Sequence, residues 1–198
     1  MGIKDIIGKQ LRSLVFNGQD VSSIFGNSIT GNAGQPVTDL TALSQAAFLS
    51  GIRLLSETVA SLPLRVIFED ENGNESVDKD HALFPLLYAA PNYEMTTSVF
   101  MQTSVVHCLL YGDSFIRLLR GNDGLVNGFE LLFPPATIEY QDYYMTWIRT
   151  NPMAAGEYVK LTKDEVIKVP FLYAGNDFFR GKGLLRLASN PISLALAL

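Results

Sequence analysis

Apolar and polar positions between Leu43 and Phe68 trace an amphipathic helix that feeds directly into a strand. Phe48, Ile52, Leu55, Val59 and Leu62 recur at the spacing that lines one helical face, while Ser44, Arg53, Ser56 and Glu57 fall mostly elsewhere. The pattern predicts one buried stripe. Thr38, Asp39 and Thr41 have side chains able to accept from the free N–H groups at a helix start, and Pro63 lacks the N–H needed to continue the helix. Leu64, Val66 and Phe68 then alternate with Arg65, Ile67 and Glu69, and the acidic run Asp70 to Glu75 contains an Asn72-Gly73 turn. A strand and hairpin are expected.

Upstream, Ile3, Ile6, Ile7, Leu11 and Leu14 sit at helical spacing, followed by a connection from Gly26 to Pro36 whose glycines and small polar residues favour mobility. Downstream, His81 to Tyr88 reads as a short helix ended by Ala90-Pro91-Asn92, because Pro91 biases its predecessor away from helix. Thr96 or Thr97 caps a second long helix reaching Tyr111; its apolar positions leave few polar faces and predict burial on more than one side. Gly112-Asp113 ends it.

The rest of the pattern is short strands. Ser114 to Leu119 turns at Gly121 to Gly124 into Phe129 to Phe133, where Pro134-Pro135 closes the strand. Tyr143 to Thr150 and Tyr158 to Leu161 flank turn signals at Asn151-Pro152 and Gly156, and Val166 to Phe171 is a further apolar run. A helical pattern restarts at Leu184, passes Leu187, Ile192 and Leu196, and stops at Leu198 without a terminating signal, as though cut inside an element. Helices preceding and punctuating hairpins predict an α+β fold, with long amphipathic helices packed against antiparallel hairpins. Three parts are expected: 1–36, an amphipathic arm and flexible linker; 37–183, the α+β domain; and 184–198, the start of a helix.

Composition narrows the chemistry. The 198 residues, 47% hydrophobic, suffice for one good-sized core. One cysteine, Cys108, excludes an internal disulfide framework and a cysteine-based zinc site. A net charge of −5 lacks the general cationic attraction that drives tight phosphate binding, which argues against a DNA clamp. Lys4, Asp5, Lys9 and Arg12 interrupt any signal-peptide core, Ile6 stands where myristoylation needs Ser or Thr, and no apolar stretch approaches a membrane span. A soluble product with no membrane partner is expected.

Sharper motifs compete with plainer readings. Gly175 to Gly183 resembles a phosphate loop, but one residue too many separates its outer glycines and Gly183 replaces the hydroxyl that holds magnesium. A flexible basic loop is the expectation. His107 and Cys108 are adjacent, so on a helix they diverge by about 100° and read as a partly buried imidazole and a packed thiol. His81 reads as structural or exposed at a helix start. The acidic cluster Asp70, Glu71, Glu75, Asp78 and Asp80 reads as a solvated turn, because a calcium loop would need glycine at Glu75. Tyr140, Tyr143, Tyr144, Trp147, Phe171, Tyr173, Phe178 and Phe179 fit a core, or else a subunit interface. The N-terminal arm packs on its own domain or docks on a neighbour.

Five segments, in order, resemble the HK97-type portal proteins of tailed bacteriophages. They are Arg53 to Leu64 (Arg-Leu-Leu-Ser-Glu-Thr-Val-Ala-Ser-Leu-Pro-Leu), His81 with Leu86-Leu87, Ala90-Pro91-Asn92 with Met95-Thr96, Leu110-Tyr111-Gly112-Asp113-Ser114-Phe115, and Leu131 to Pro135. The resemblance covers roughly Leu40 to Leu198. Lys168 stands where the family often has histidine, and Gly183-Leu184-Leu185-Arg186 where it often has a Gly-Leu-Ser-Pro-like step.

The resemblance implies the outer, wing-like part of a longer subunit, with 184–198 leading toward a stem region. It implies a structural role without catalysis: a homo-oligomeric ring, a dodecamer in the family, at the unique capsid vertex, forming the channel for packaging and ejection of double-stranded DNA. The partners it implies are further copies of the chain, the major capsid protein, the terminase large subunit, a head-tail adaptor and DNA passing without sequence specificity. The location it implies is the virion, with host cytoplasm during assembly. No catalytic, cofactor-binding or metal-binding residue is assigned, no cofactor is expected, and the DNA-contacting residues are left unassigned. The alternatives are a small-substrate α+β enzyme and a non-portal head-tail connector.

Overall fold

The computed structural model describes residues 29–34, 36–140, 146–150, 158–174 and 180–197, and for 30, 136, 138–140, 146–150 and 158–160 the backbone only. The amphipathic arm Ile3 to Leu14 lies outside the described residues. The first described elements, β1 (Ile29–Thr30) and β2 (Pro36–Val37), pair antiparallel with Ile29 opposite Val37. Part of the segment expected as a mobile connection is thus anchored. Val37 is 1% exposed, Gly31 lies too close to Ser193 to accommodate a Cβ, and the Asn32 N–H donates to Asn190 Oδ1 at 3.1 Å.

The single helix expected before Pro63 is two. Thr38 caps α1 (Asp39–Leu43) by accepting from the Thr41 N–H at 3.1 Å, while Thr41 Oγ1 accepts from the Thr38 N–H at 2.7 Å. The Ser44 hydroxyl then donates to the Thr41 carbonyl at 2.7 Å and Gln45 takes an extended conformation, so the chain breaks before α2 (Ala46–Ala60). The predicted stripe also divides. Ile52 and Ser56 are buried and Phe48 packs half-buried, whereas Leu55, Val59 and Leu62 face solvent. Ser56 is 0% exposed: a small side chain one turn after Ile52 occupies the buried face where periodicity placed leucine.

β3 (Ile67–Glu69) and β4 (Glu75–Val77) form the expected hairpin, exposed along its length. The short helix is α3 (Phe84–Tyr88), with Pro85 in its first turn, where the missing N–H costs nothing. The Ala90-Pro91-Asn92 step is held on the neighbouring strand. The Phe129 N–H donates to the Pro91 carbonyl at 2.8 Å, and Asn92 Nδ2 donates to the Phe129 carbonyl at 2.9 Å. Thr96 caps α4 (Thr97–Tyr111), which is buried on two sides as expected: Phe100, Ser104 and Cys108 line one side, and Leu109 joins Ile52 of α2.

β5 (Asp113–Arg120) and β6 (Val126–Leu132) make the next hairpin, and β10 (Val166–Pro170) pairs antiparallel with β5, giving the order β10-β5-β6. One face of this sheet meets α4 through the buried Ser104–Ser114 hydroxyl pair at 2.9 Å and the Phe100–Phe129 rings. On its opposite face, Phe115, Leu132 and Val166 gather with Leu161 in a second apolar cluster. Pro134–Ala136 forms a 3-10 turn that re-enters an unanticipated strand, β7 (Thr137–Tyr140), and the second sheet runs β7-β8-β9 with β8 at Thr146–Thr150 and β9 at Tyr158–Thr162. The C-terminal helix is also interrupted, into α5 (Leu184–Leu187) and α6 (Ser189–Ala197), and Leu185 and Ile192 close the α2–α4 core. The architecture is α+β.

Candidate functional site

The polar interior concentrates where α4 turns into β5. Gly112 ends α4 at φ 98°, a left-handed conformation that glycine adopts without strain. A Cβ there would overlap the Gly181 carbonyl, and one on Gly183 would strike the Leu110 carbonyl. Three glycines therefore let two backbones cross in direct contact. The Phe171 N–H donates to the Gly112 carbonyl at 2.8 Å, the Lys182 N–H to the Leu172 carbonyl at 2.8 Å, and the Gly181 N–H to Asp113 Oδ2 at 2.9 Å. Asp113 Oδ1 faces Lys168 Nζ at 3.6 Å, and both side chains are largely buried, 8% and 13% exposed. Burial raises the Asp113 carboxyl above its ordinary value in spite of that cation. Described residues 180–183 of the predicted basic loop are thus fixed; 175–179 lie outside the described residues.

The neighbouring titratable groups have structural partners. Burial lowers the His107 imidazole to about 4, and its ring meets Tyr111 and Phe133 edge-on at 6.2 Å each. Burial, with the charge of Asp113, pushes the Cys108 thiol up to about 11, and its Sγ donates to the Val169 carbonyl at 3.2 Å. A neutral imidazole and a protonated thiol on diverging faces are unsuited to nucleophilic or acid–base work near pH 7. Tyr111 donates to Asp39 Oδ2 at 2.8 Å, and burial raises its phenol.

The acidic cluster satisfies its own turns. Asp70 Oδ1 accepts from the Asn72 and Asn74 N–H groups, both at 2.8 Å, and Asp78 Oδ1 accepts from Asp80 and His81. The Asn74 side-chain amide, donating to Asp70 Oδ2 at 2.9 Å, lowers the Asp70 carboxyl most, and the backbone N–H donors add to it. Exposed His81 accepts from the Leu83 N–H at 3.1 Å, beside the start of α3. Among the described residues no group of three or more His, Cys, Asp or Glu could hold a metal ion, and no helix is long and apolar enough to cross a membrane.

The surface carries apolar residues instead. Leu54, Leu55 and Val59 on α2, Leu62 and Leu64 after it, and Ile67 and Phe68 on β3 are all exposed, Leu62 by 63%. A second strip, Ile167, Val169, Phe171, Leu172 and Tyr173, follows edge strand β10. Of the C-terminal aromatics read as core or interface, Phe171 and Tyr173 are exposed, while Tyr143, Tyr144, Phe178 and Phe179 lie outside the described residues and nothing is described of the side chains of Tyr140 and Trp147. Sequence reading missed the crossing itself: Gly112 was legible only as a helix stop, and Gly181-Lys182-Gly183 only against a phosphate loop.

A family model described as phage portal protein matches residues 46–198. No curated protein matches the chain. Among solved structures, an HK97 family phage portal protein from Corynebacterium diphtheriae is 24% identical, over 79% of this chain and 45% of its own, with a TM-score of 0.52. The neck of a native gene transfer agent (GTA) particle, computed with C12 symmetry, is 15% identical over 92% of this chain and 42% of its own, with a TM-score of 0.59. The neck of the empty GTA particle, computed with C6 symmetry, is 16% identical over 91% and 42%, with a TM-score of 0.54. The chain spans less than half the length of these structures, and the likeness establishes the fold.

Proposed function

The chain belongs to the phage portal protein family, and from that premise we propose that it is a structural subunit of a portal ring at the unique capsid vertex, enclosing the channel through which double-stranded DNA is packaged and ejected. The carrying observation is the family match across 46–198, over a fold in which polar interior groups serve backbone crossings and helix caps while apolar side chains face outward.

Several features support this reading. The relatives include necks of particles solved with six- and twelve-fold symmetry, which favours a homo-oligomeric ring, dodecameric in the family, within the virion. Exposed apolar strips on α2, β3 and β10 suit burial against protein. A formal charge of −5 suits a passage through which phosphates slide instead of being held. We place the wing-like domain at 37–183, a lead toward a stem at 184–198, whose Leu185 and Ile192 also pack in the domain core, and an arm with its linker at 1–36, of which Ile29–Thr30 pairs with the domain. The partners are further copies of the chain, the major capsid protein, the terminase large subunit, a head-tail adaptor and sequence-independent DNA, with assembly in host cytoplasm. The family match weighs against a small-substrate enzyme and against a non-portal connector.

Genetic depletion tests the role. Phage lacking this gene product should accumulate heads without DNA, and supplying it in trans should restore packaging. DNA-filled heads in its absence would overturn the proposal.

A further inference from the structure

Asparagine precedes glycine at Asn72-Gly73 and again at Asn127-Gly128, and the fold treats the two steps differently. Asn127 and Gly128 lie in β6, where Gly128 is buried opposite Leu119 of β5 and has the Pro91 carbonyl 3.4 Å from where a Cβ would stand. Asn72 and Gly73 lie at the exposed tip of the β3–β4 hairpin, where only Glu69 Oε1, at 3.9 Å, comes near the corresponding position on Gly73. We infer that Asn72 is a site of spontaneous deamidation, a covalent modification with water as co-reactant, and that the Asp70 carboxylate is its brake.

The reaction needs only backbone and solvent. The Gly73 nitrogen bonds to Asn72 Cγ as the Cγ–Nδ2 bond breaks, and the proton that the glycine nitrogen gives up reaches the departing amide through solvent, so that ammonia leaves. The product is a five-membered succinimide. Water then opens one of its two carbonyls, which yields aspartate or, with an extra methylene in the main chain, isoaspartate. One water is consumed and one ammonia released, with no change of oxidation state. Asparagine is thermolabile by this route, and a following glycine exposes its nitrogen most because it carries no side chain.

In the folded chain the rate depends on a free side-chain amide and an available Gly73 nitrogen. Asn72 meets the first condition, since among the described residues no hydrogen bond holds its side chain. The second is restrained. The Gly73 N–H donates to the Asp70 carbonyl at 3.0 Å, Asp70 Oδ1 accepts from the Asn72 and Asn74 N–H groups, and Asp70 Oδ2 accepts from Asn74 Nδ2. This clasp closes a tip carried by three cross-strand pairs, Ile67–Val77, Phe68–Ser76 and Glu69–Glu75. A two-stranded hairpin of that length is marginal in water, so its tip opens at low cost, whereas Gly128 is released only when a three-stranded sheet opens. The product adds a negative charge beside Glu69, Asp70, Glu71 and Glu75.

Peptide mapping by mass spectrometry of the complete chain, aged in buffer at pH 8, tests this. The peptide bearing Asn72 should gain about 1 Da and split into aspartate and isoaspartate forms at least about tenfold faster than the peptide bearing Asn127. In guanidinium chloride the two rates should converge to within about threefold, because both steps are then Asn-Gly in an open chain. Equal rates in the folded chain, or a difference that survives denaturation, would overturn the proposal. Asp70→Ala should raise the folded-state rate at Asn72 by at least about threefold and the denatured-state rate by less. No acceleration in a folded variant would remove Asp70 as the brake. If Asp70→Ala does not fold, Asn74→Ala, which removes the donor to Asp70 Oδ2, takes its place with the same expectation.

Discussion

Lys168 Nζ and the Asp113 carboxylate lie 3.6 Å apart at the crossing of three glycines, and the same carboxylate accepts from the Gly181 N–H. Removing the cation leaves a buried carboxylate with a backbone donor and only the weaker influence of the Arg180 charge. Lys168→Met should lower stability by about 3–5 kcal/mol at pH 7 in urea unfolding. The Asp113 carboxyl is already raised by burial and rises further without lysine, so the folded variant takes up a proton where the unfolded chain has lost it. The loss should therefore shrink as pH falls toward the unfolded carboxylate range. A deficit unchanged between pH 7 and pH 5 would remove Asp113 as its cause.

Gly112 and Gly124 separate strain from collision. Both have positive φ, 98° and 78°, but only Gly112 has backbone where a Cβ would go; nothing lies within 4 Å of that position at Gly124. Gly124→Ala should cost about 1 kcal/mol, the conformational penalty alone. Gly112→Ala should cost several times that or prevent folding, because the Gly181 segment cannot move aside without losing its hydrogen bond to Asp113. Equal costs, by thermal or urea denaturation, would mean that the crossing is loose.

His107 sets a pH dependence of known sign. Its folded value is about 4 against 6.5 unfolded, so between those values the unfolded chain binds a proton that the native state refuses. Stability is full above about pH 6.5 and declines as pH falls toward 4, by up to about 3 kcal/mol. His107→Phe should flatten this part of the difference curve while retaining the edge contacts with Tyr111 and Phe133. Parallel pH profiles for the two proteins would show that the imidazole is not buried in its neutral form.

Asn92 joins the Pro91 turn to β6 and to the start of α4. Its Nδ2 donates to the Phe129 carbonyl at 2.9 Å, and its Oδ1 accepts from the Glu94 and Met95 N–H groups at 2.9 and 2.8 Å. Asn92→Ala should cost about 2–3 kcal/mol in urea unfolding, since it removes the donor and the acceptor together. A loss close to zero would mean that these bonds are exchanged for bonds to water at no net cost.

The elements were legible where local chemistry decides them. Thr96, Gly112 and Pro63 mark helix ends through caps, positive φ and a missing N–H, and Gly121 to Gly124 marks a hairpin. The failures arose where tertiary contact overrides pattern. Leu55, Val59 and Leu62 match helical periodicity but face outward, because periodicity identifies apolar residues without distinguishing a buried face from an exposed one. Ser56, polar by type, is fully buried because a small side chain suits close packing of α2. The hydroxyl of Ser44 breaks the first helix through a bond that propensity does not encode. The Gly112–Gly181–Gly183 crossing joins positions far apart in sequence, and no local pattern links them. The family resemblance was legible because its segments recur in order.

Electron microscopy of the complete gene product, expressed from its full native reading frame, tests the central claim most directly. Closed, symmetric rings around a central channel, with this domain at the ring's outer part, are the expected result. Uniform compact monomers that stay unassembled when capsid protein is added would contradict it.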